Sequence, residues 1–247
     1  MATDHRKKTI LARIKSAGPF LLNAALITGI VGSISCSANK LQKLVAKAPA
    51  KCDAKLINRL LEVIEKDIIP LTQEAVVKGN KIFGAAILKK ADLSLVVASP
   101  NNETENPLWH GEVHVLKKFY ELPKSNRPNT KELIFLATHE PCTLCLSAIT
   151  WTGFDNFYYL FSHEDSRDSF NIPHDLKILQ EVFNCSPGQY AQENFYWRSN
   201  NLKKLINTCD ERTRKNFLFR IDHLEKIYGD LSDVYQKNKD KVDMPLK

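Results

Sequence analysis

Two short clusters about thirty residues apart, His110-Gly111-Glu112 and Pro141-Cys142-Thr143-Leu144-Cys145, constrain the folding of this 247-residue chain more than any other feature. One imidazole and two thiolates give a tetrahedral Zn²⁺ three protein ligands and leave the fourth position open for water. A closed structural site would want a fourth Cys or His at short spacing, and none follows. Glu112 stands two positions from the histidine, near enough to reach that water without binding the metal. Each half alone is weak, because H-x-E arises by chance and C-x-x-C also serves redox pairs and zinc ribbons. The flanking sequence strengthens both. Residues 133–138, LIFLAT, read as a short buried strand, and Pro141 then opens a helical stretch over 142–151. Proline is tolerated there because its missing N–H would be unpaired anyway. Cys142 and Cys145 fall on one face of the first helical turn, where the positive helix end and the metal both favour thiolate. His110 follows Asn106-Pro107 and begins a helix running through Val113, Leu116 and Tyr120. The chain must bring two helix N-termini to one metal.

The rest of the pattern fits one α/β domain with extensions. Apolar residues recur at helical spacing from Leu56 to Val77, with Pro70 expected to break or kink that stretch into two helices. Strands are expected at 82–88 and 93–98, joined by a polar turn, then at 133–138 and 157–161. Helices are expected at 176–183 and from 202 onward, and interleaved strands and helices argue for a layered α/β sheet. From Phe217 to Val234 apolar residues return every three or four positions, an amphipathic helix whose apolar face must bury against something. The expected organisation is an N-terminal segment over 1–38, a Lys/Ala-rich connector over 39–55, a catalytic domain over 56–185 and a helical C-terminal extension over 186–247.

The net charge of +7 suggests a nucleic-acid partner until it is located. Residues 1–37 carry five basic residues against one acidic, and 197–247 carry twelve against eight. The middle, 38–196, has eighteen against nineteen, which argues against a broad phosphate-binding face around the metal. Of the six cysteines, the four outside the metal motif (Cys36, Cys52, Cys185 and Cys209) are scattered and read as core or surface thiols rather than a disulfide framework. The N-terminus runs basic (Arg6, Lys7, Lys8), apolar (17–34), then small (32–38), the order of a secretory signal peptide. Export, periplasmic or secreted, is the expectation, with an apolar helical extension on a cytoplasmic protein as the alternative and no stable membrane span in the mature chain.

On these residues the chain resembles the cytidine and deoxycytidylate deaminase superfamily, whose zinc nucleobase members carry H-x-E and P-C-x-x-C. Within it the likeness is to the guanine, cytosine and tRNA-adenosine deaminase branch, over roughly residues 56–173. Phe83-Gly84-Ala85-Ala86 is similar to that branch's first-strand motif, and Asn101-Asn102 lies where it keeps a substrate-contacting asparagine. Gly111 stands where most members have Ala, as in fungal-type cytosine deaminases. The run from Cys145 to Trp151 resembles the guanine deaminase continuation, and His163-Glu164-Asp165 resembles a histidine-x-aspartate in the same enzymes. The resemblance implies a three-layer α/β/α fold with a mixed central sheet and helical extensions at both ends. It implies Zn²⁺ on His110, Cys142 and Cys145, Glu112 as the catalytic proton shuttle, and Asn101, Asn102, Trp151 and Asp165 as substrate contacts. For Trp151 a core aromatic, and for Asp165 a solvated surface carboxylate, remain the competing readings.

The reaction implied is hydrolytic removal of an exocyclic amine from a nucleobase or nucleoside, and the segment through Trp151 favours a free purine such as guanine. Cytosine or cytidine is the near alternative. A tRNA adenosine is disfavoured by the near-neutral body, although the basic C-terminus keeps it open. A homodimer is expected. The competing class is a non-catalytic zinc-binding subunit, and Glu112 speaks against it, because a dead relative commonly loses the proton shuttle.

Overall fold

The computed structural model describes residues 51–186 and 190–247. The basic and apolar segment over 1–38, with Cys36, and most of the 39–55 connector lie outside them. The described chain opens with α1 (Ala54–Val63), capped by Asp53, whose carboxylate accepts the Leu56 N–H at 3.0 Å. Pro70 does not break this stretch. A π-helical turn (Ile64–Ile68) leads directly into α2 (Ile69–Val77), whose first turn holds the proline. The wider turn relieves the clash that the proline ring would otherwise make with the preceding carbonyls.

Five strands follow: β1 (Gly84–Lys89), β2 (Leu95–Pro100), β3 (Leu133–His139), β4 (Asn156–Phe161) and β5 (Arg198–Asn201). They form one mixed sheet in the order β2-β1-β3-β4-β5. β1 is antiparallel to both neighbours, whereas β3, β4 and β5 are mutually parallel. The first four strands lie within two residues of their expected positions. β5 was not expected: its sequence, RSNN, has no apolar residue, and it is held at the sheet edge by pairing with β4.

Alternate residues of each strand face opposite layers. Ala85 and Ile87 pack with Val115 and Phe119 of α3 (Gly111–Glu121) and Ile149 of α4 (Thr143–Trp151). Ala86 and Leu88 face α1, α2 and the long α8 (Glu211–Asn238). Between these elements lie α5 (His163–Asp168), α6 (His174–Phe183) and α7 (Leu202–Ile206). The amphipathic C-terminal helix buries Phe217, Ile221, Leu224, Tyr228, Leu231 and Tyr235 in the same core as α1 and α2. Each such side chain contributes roughly 1.5–3 kcal/mol by leaving water, and Arg220 adds a two-pronged ion pair to Glu65 at 2.9 and 2.8 Å.

The cysteine reading needs one correction. Cys52 and Cys209 form a disulfide. They stand 157 residues apart, so their spacing carries no signal. The fold brings them together by setting the start of α1 beside the turn between α7 and α8. Cys185 is a free thiol.

Candidate active site

His110 and Cys142 each occupy the residue before a helix, α3 and α4, and Cys145 lies on the first turn of α4. β3 ends at His139, three residues before Cys142, so the cysteines sit at the carboxyl end of a central strand. Two contacts fix this junction. The Thr138 hydroxyl accepts the Gly84 N–H at 3.0 Å and donates to the Gly84 carbonyl at 3.1 Å, tying the end of β3 to the start of β1. Asn101, at the end of β2, accepts the Gly111 N–H through Oδ1, satisfying a helix donor that His110 leaves open.

The three ligand atoms form a compact triangle. Cys142 Sγ lies 3.6 Å from Cys145 Sγ and 3.4 Å from His110 Nδ1, and Cys145 Sγ lies 3.7 Å from the same nitrogen. Tetrahedral zinc with ordinary bond lengths separates two sulfurs by about 3.8 Å and sulfur from nitrogen by about 3.5 Å. Donor chemistry and spacing both fit zinc. Among the described residues no other set of three His, Cys, Asp or Glu side chains comes together in this way. Hydrogen bonding from Cys145 holds the Cys142 thiol well below its ordinary value, so one sulfur ionises readily.

Glu112 is buried on the metal side of α3, with Oε2 3.3 Å from Cys145 Sγ. Burial, with the charge of Cys142 adding to it, pushes its carboxyl up to about 7. A carboxyl poised there can both take and return a proton near neutral pH.

A cavity of ≈250 Å³ opens beside His110 and Cys142. Phe83, Pro107, Leu108, Leu144 and Ile172 give it apolar walls, and Met244, Pro245 and Leu246 close one side. Its polar lining includes Asp175, a half-buried residue of the first turn of α6. Burial, again with the Cys142 charge adding, pushes the Asp175 carboxyl up to about 6. Lys81 and Glu103 also reach the cavity, as a buried ion pair of 2.7 Å.

Of the expected substrate contacts, none lines this cavity. Asn101 is buried and commits both ends of its amide, to Gly111 and to Glu103. Asn102 bonds Glu105 on the loop surface at 2.6 Å. Trp151 ends α4 with 89% of its surface exposed, so it is neither core nor a wall of this cavity. The reason is length: eight residues of helix rise about 12 Å and carry its far end away from the cysteines. Asp165 closes a capping box with Ser162 at the start of α5 and pairs with Lys203 at 3.2 Å.

Sequence pattern alone does not single out Asp175, Lys81 and Glu103. An acidic residue in a first helical turn reads as an ordinary partner of the helix dipole, and Asp175 lies just past the stretch that carries the resemblance. Glu103 sits in a polar loop, and nothing in the sequence pairs it with Lys81.

Residues 62–161 match the family described as the cytidine and deoxycytidylate deaminase zinc-binding region. Guanine deaminase of Bacillus subtilis (strain 168) is 29% identical over 111 residues, which span 44% of this chain and 69% of that protein. Among solved structures, guanine deaminase from Bacillus subtilis is 24% identical, with 64% of this chain and 92% of that one covered and a TM-score of 0.38. A tRNA:A34 deaminase is 20% identical, with 53% and 92% covered and a TM-score of 0.36. The matched stretch contains His110, Glu112, Cys142 and Cys145, so over residues 62–161 this chain is similar to the cytidine and deoxycytidylate deaminase zinc-binding region at the positions of its metal trio and buried glutamate.

Proposed function

We propose that this chain hydrolytically removes the exocyclic amine of a free nucleobase, with a purine of the guanine type as its substrate. The observation that carries this reading is the ≈250 Å³ cavity against the His110, Cys142 and Cys145 trio. Its volume suits one small heterocycle rather than a polynucleotide. Phe83 and Leu144 offer apolar surface to the faces of a planar ring, and the Asp175 carboxylate accepts ring N–H groups at its edge. The likeness to a curated guanine deaminase supports the purine over other bases.

His110 Nδ1 and the two Sγ atoms would hold the metal. When bound, zinc supplies a Lewis acid that acidifies water at neutral pH. Glu112 accepts the proton of the attacking water and delivers it to a ring nitrogen. A second delivery, to the amine, lets ammonia leave as a neutral molecule and leaves a carbonyl on the ring. The cavity walls exclude bulk water and hold the ring against the carboxylate.

The test is ammonia release measured across guanine, adenine, cytosine, their nucleosides and a tRNA anticodon stem. Turnover of guanine well above the rest is expected. Preference for cytosine would move the reading to a pyrimidine, preference for the anticodon stem would move it to tRNA, and inactivity on all of them would favour a non-catalytic zinc subunit.

A further inference from the structure

We infer that Glu103, clamped by Lys81, is the positioning residue that orients the His110 ring for the metal, an inference that rests on the zinc reading of the same site. His110 presents Nδ1 to the two sulfurs, so ligation through Nδ1 leaves the ring proton on Nε2. That nitrogen faces Glu103 Oε1 at 3.7 Å. The separation is longer than a hydrogen bond, so the link is electrostatic, between an N–H dipole and a buried carboxylate. Metal-binding histidines generally rely on such a partner to fix the ring and raise its basicity.

Glu103 is built for this and not for solvent. Its side chain is 3% exposed and that of Lys81 is 7% exposed. Oε1 accepts from Lys81 Nζ at 2.7 Å, while Oε2 accepts from Asn101 Nδ2 at 2.8 Å and from the Lys81 backbone N–H at 3.3 Å. An unpaired carboxylate at this depth would be strongly disfavoured, and Lys81 supplies its partner. Asn101 in turn accepts the Gly111 N–H, one residue after the metal ligand. Glu103 thus grips His110 twice, facing the ring directly and holding the following backbone through Asn101. Lys81 Nζ also donates to the Leu246 carbonyl at 2.8 Å, which joins this clamp to the tail segment walling the cavity.

The experiment uses the full-length zinc-loaded protein and reads zinc affinity by chelator competition, with the His110 Nε2–H signal followed by NMR. Removing Glu103 alone would strand a buried lysine, so the informative variant is Glu103→Leu with Lys81→Met, which leaves no unpaired charge. Its zinc affinity is expected to fall by roughly 10–100-fold, and Glu103→Gln with Lys81→Met, which keeps an acceptor oxygen, should recover most of that loss. In the wild type the Nε2–H should exchange slowly with water, and in the leucine variant quickly. Equal zinc affinity in the leucine variant and the wild type would overturn the inference while leaving the zinc site intact. If that variant does not fold, a fast-exchanging Nε2–H in the wild type overturns it equally. A wild-type chain that takes up no zinc would overturn the site reading itself.

Discussion

Gly84 and Gly111 touch backbone to backbone: a Cβ on Gly111 would stand 2.7 Å from the Gly84 Cα and 3.0 Å from its nitrogen and carbonyl carbon. The first residue of α3 thereby lies directly on the start of β1. His110 and Glu112, on either side of that contact, gain their depth beside the cysteines from it.

Gly111→Ala is therefore expected to destabilise this chain. Helix propensity favours Ala by up to about 1 kcal/mol, but forcing a methyl into a packed contact costs about 1–3 kcal/mol. The obstructing atoms are backbone and cannot rotate away, so the clash wins. Thermal melting and zinc titration of the variant check this, and a raised melting temperature with unchanged zinc affinity would contradict it.

Glu112→Gln and Cys142→Ala should fail in different ways. The glutamine keeps the shape of the side chain but cannot accept a proton, so zinc content stays near that of the wild type while turnover falls by roughly 10²–10⁴-fold. The alanine removes one of three ligands and should lose the metal along with the activity. Metal analysis of both purified proteins separates the two roles. Zinc loss in the glutamine variant, or full zinc in the alanine variant, would reassign them.

What the sequence disclosed follows from how each feature is encoded. The metal trio is legible because Cys142 and Cys145 lie within one helical turn and His110 and Glu112 within another, so spacing reports geometry. The central strands are legible as apolar runs because helices cover both faces of the sheet, as β3 shows with all seven of its residues buried. β5 is held by backbone pairing with β4 and by polar side-chain bonds such as Asn200 Nδ2 to the Phe157 carbonyl, and leaves no apolar mark in RSNN. Asp175, Lys81 and Glu103 reach the cavity from separate parts of the chain, and only the folded arrangement relates them. Trp151 is the converse case: a residue matching a motif in sequence stands exposed at the far end of its helix, away from this cavity.

The Cys52–Cys209 bridge closes a loop of 157 residues. Chain entropy in the unfolded state alone would make it worth up to about 5 kcal/mol, and removing a native bridge typically costs about 2–5 kcal/mol. Cys52→Ser with Cys209→Ser is expected to lower the melting temperature without changing zinc stoichiometry. In denatured, zinc-free wild type, at most four of the six cysteines should react with a thiol reagent before reduction, and all six after it. Six reactive thiols without reductant would remove the bridge. Its presence suits an oxidising compartment, so a native N-terminus sequenced near residues 36–39, rather than at Met1 or Ala2, is the matching outcome for export.

Trp151→Ala and Asp175→Asn form a contrasting pair. The tryptophan is exposed and away from the cavity, so its loss should change stability by no more than about 0.5 kcal/mol and leave the Michaelis constant alone. The asparagine replaces one acceptor of ring N–H groups with a donor, leaving part of the substrate edge badly paired, which costs roughly 1–3 kcal/mol, or about a tenfold to hundredfold loss of kcat/KM. Zinc content should not move in either protein. A raised Michaelis constant in Trp151→Ala beside a normal Asp175→Asn would exchange their roles.

Salt dependence separates a free base from a polynucleotide substrate. A protein that neutralises many phosphates releases counterions on binding, and its affinity falls by orders of magnitude between about 50 and 200 mM salt. The residues around this cavity are mostly apolar, and its one lysine, Lys81, is already paired with Glu103. Among the described residues, no unpaired lysine or arginine lines this cavity to meet a phosphate. The Michaelis constant for the preferred free base should therefore change by less than about twofold over that range, because an uncharged ring displaces no counterions. A steep rise with salt would mean that the substrate carries phosphates to a surface beyond the cavity. The basic residues of the C-terminal region, such as Arg212, Arg214 and Lys215 near the start of α8, would then be the first to substitute.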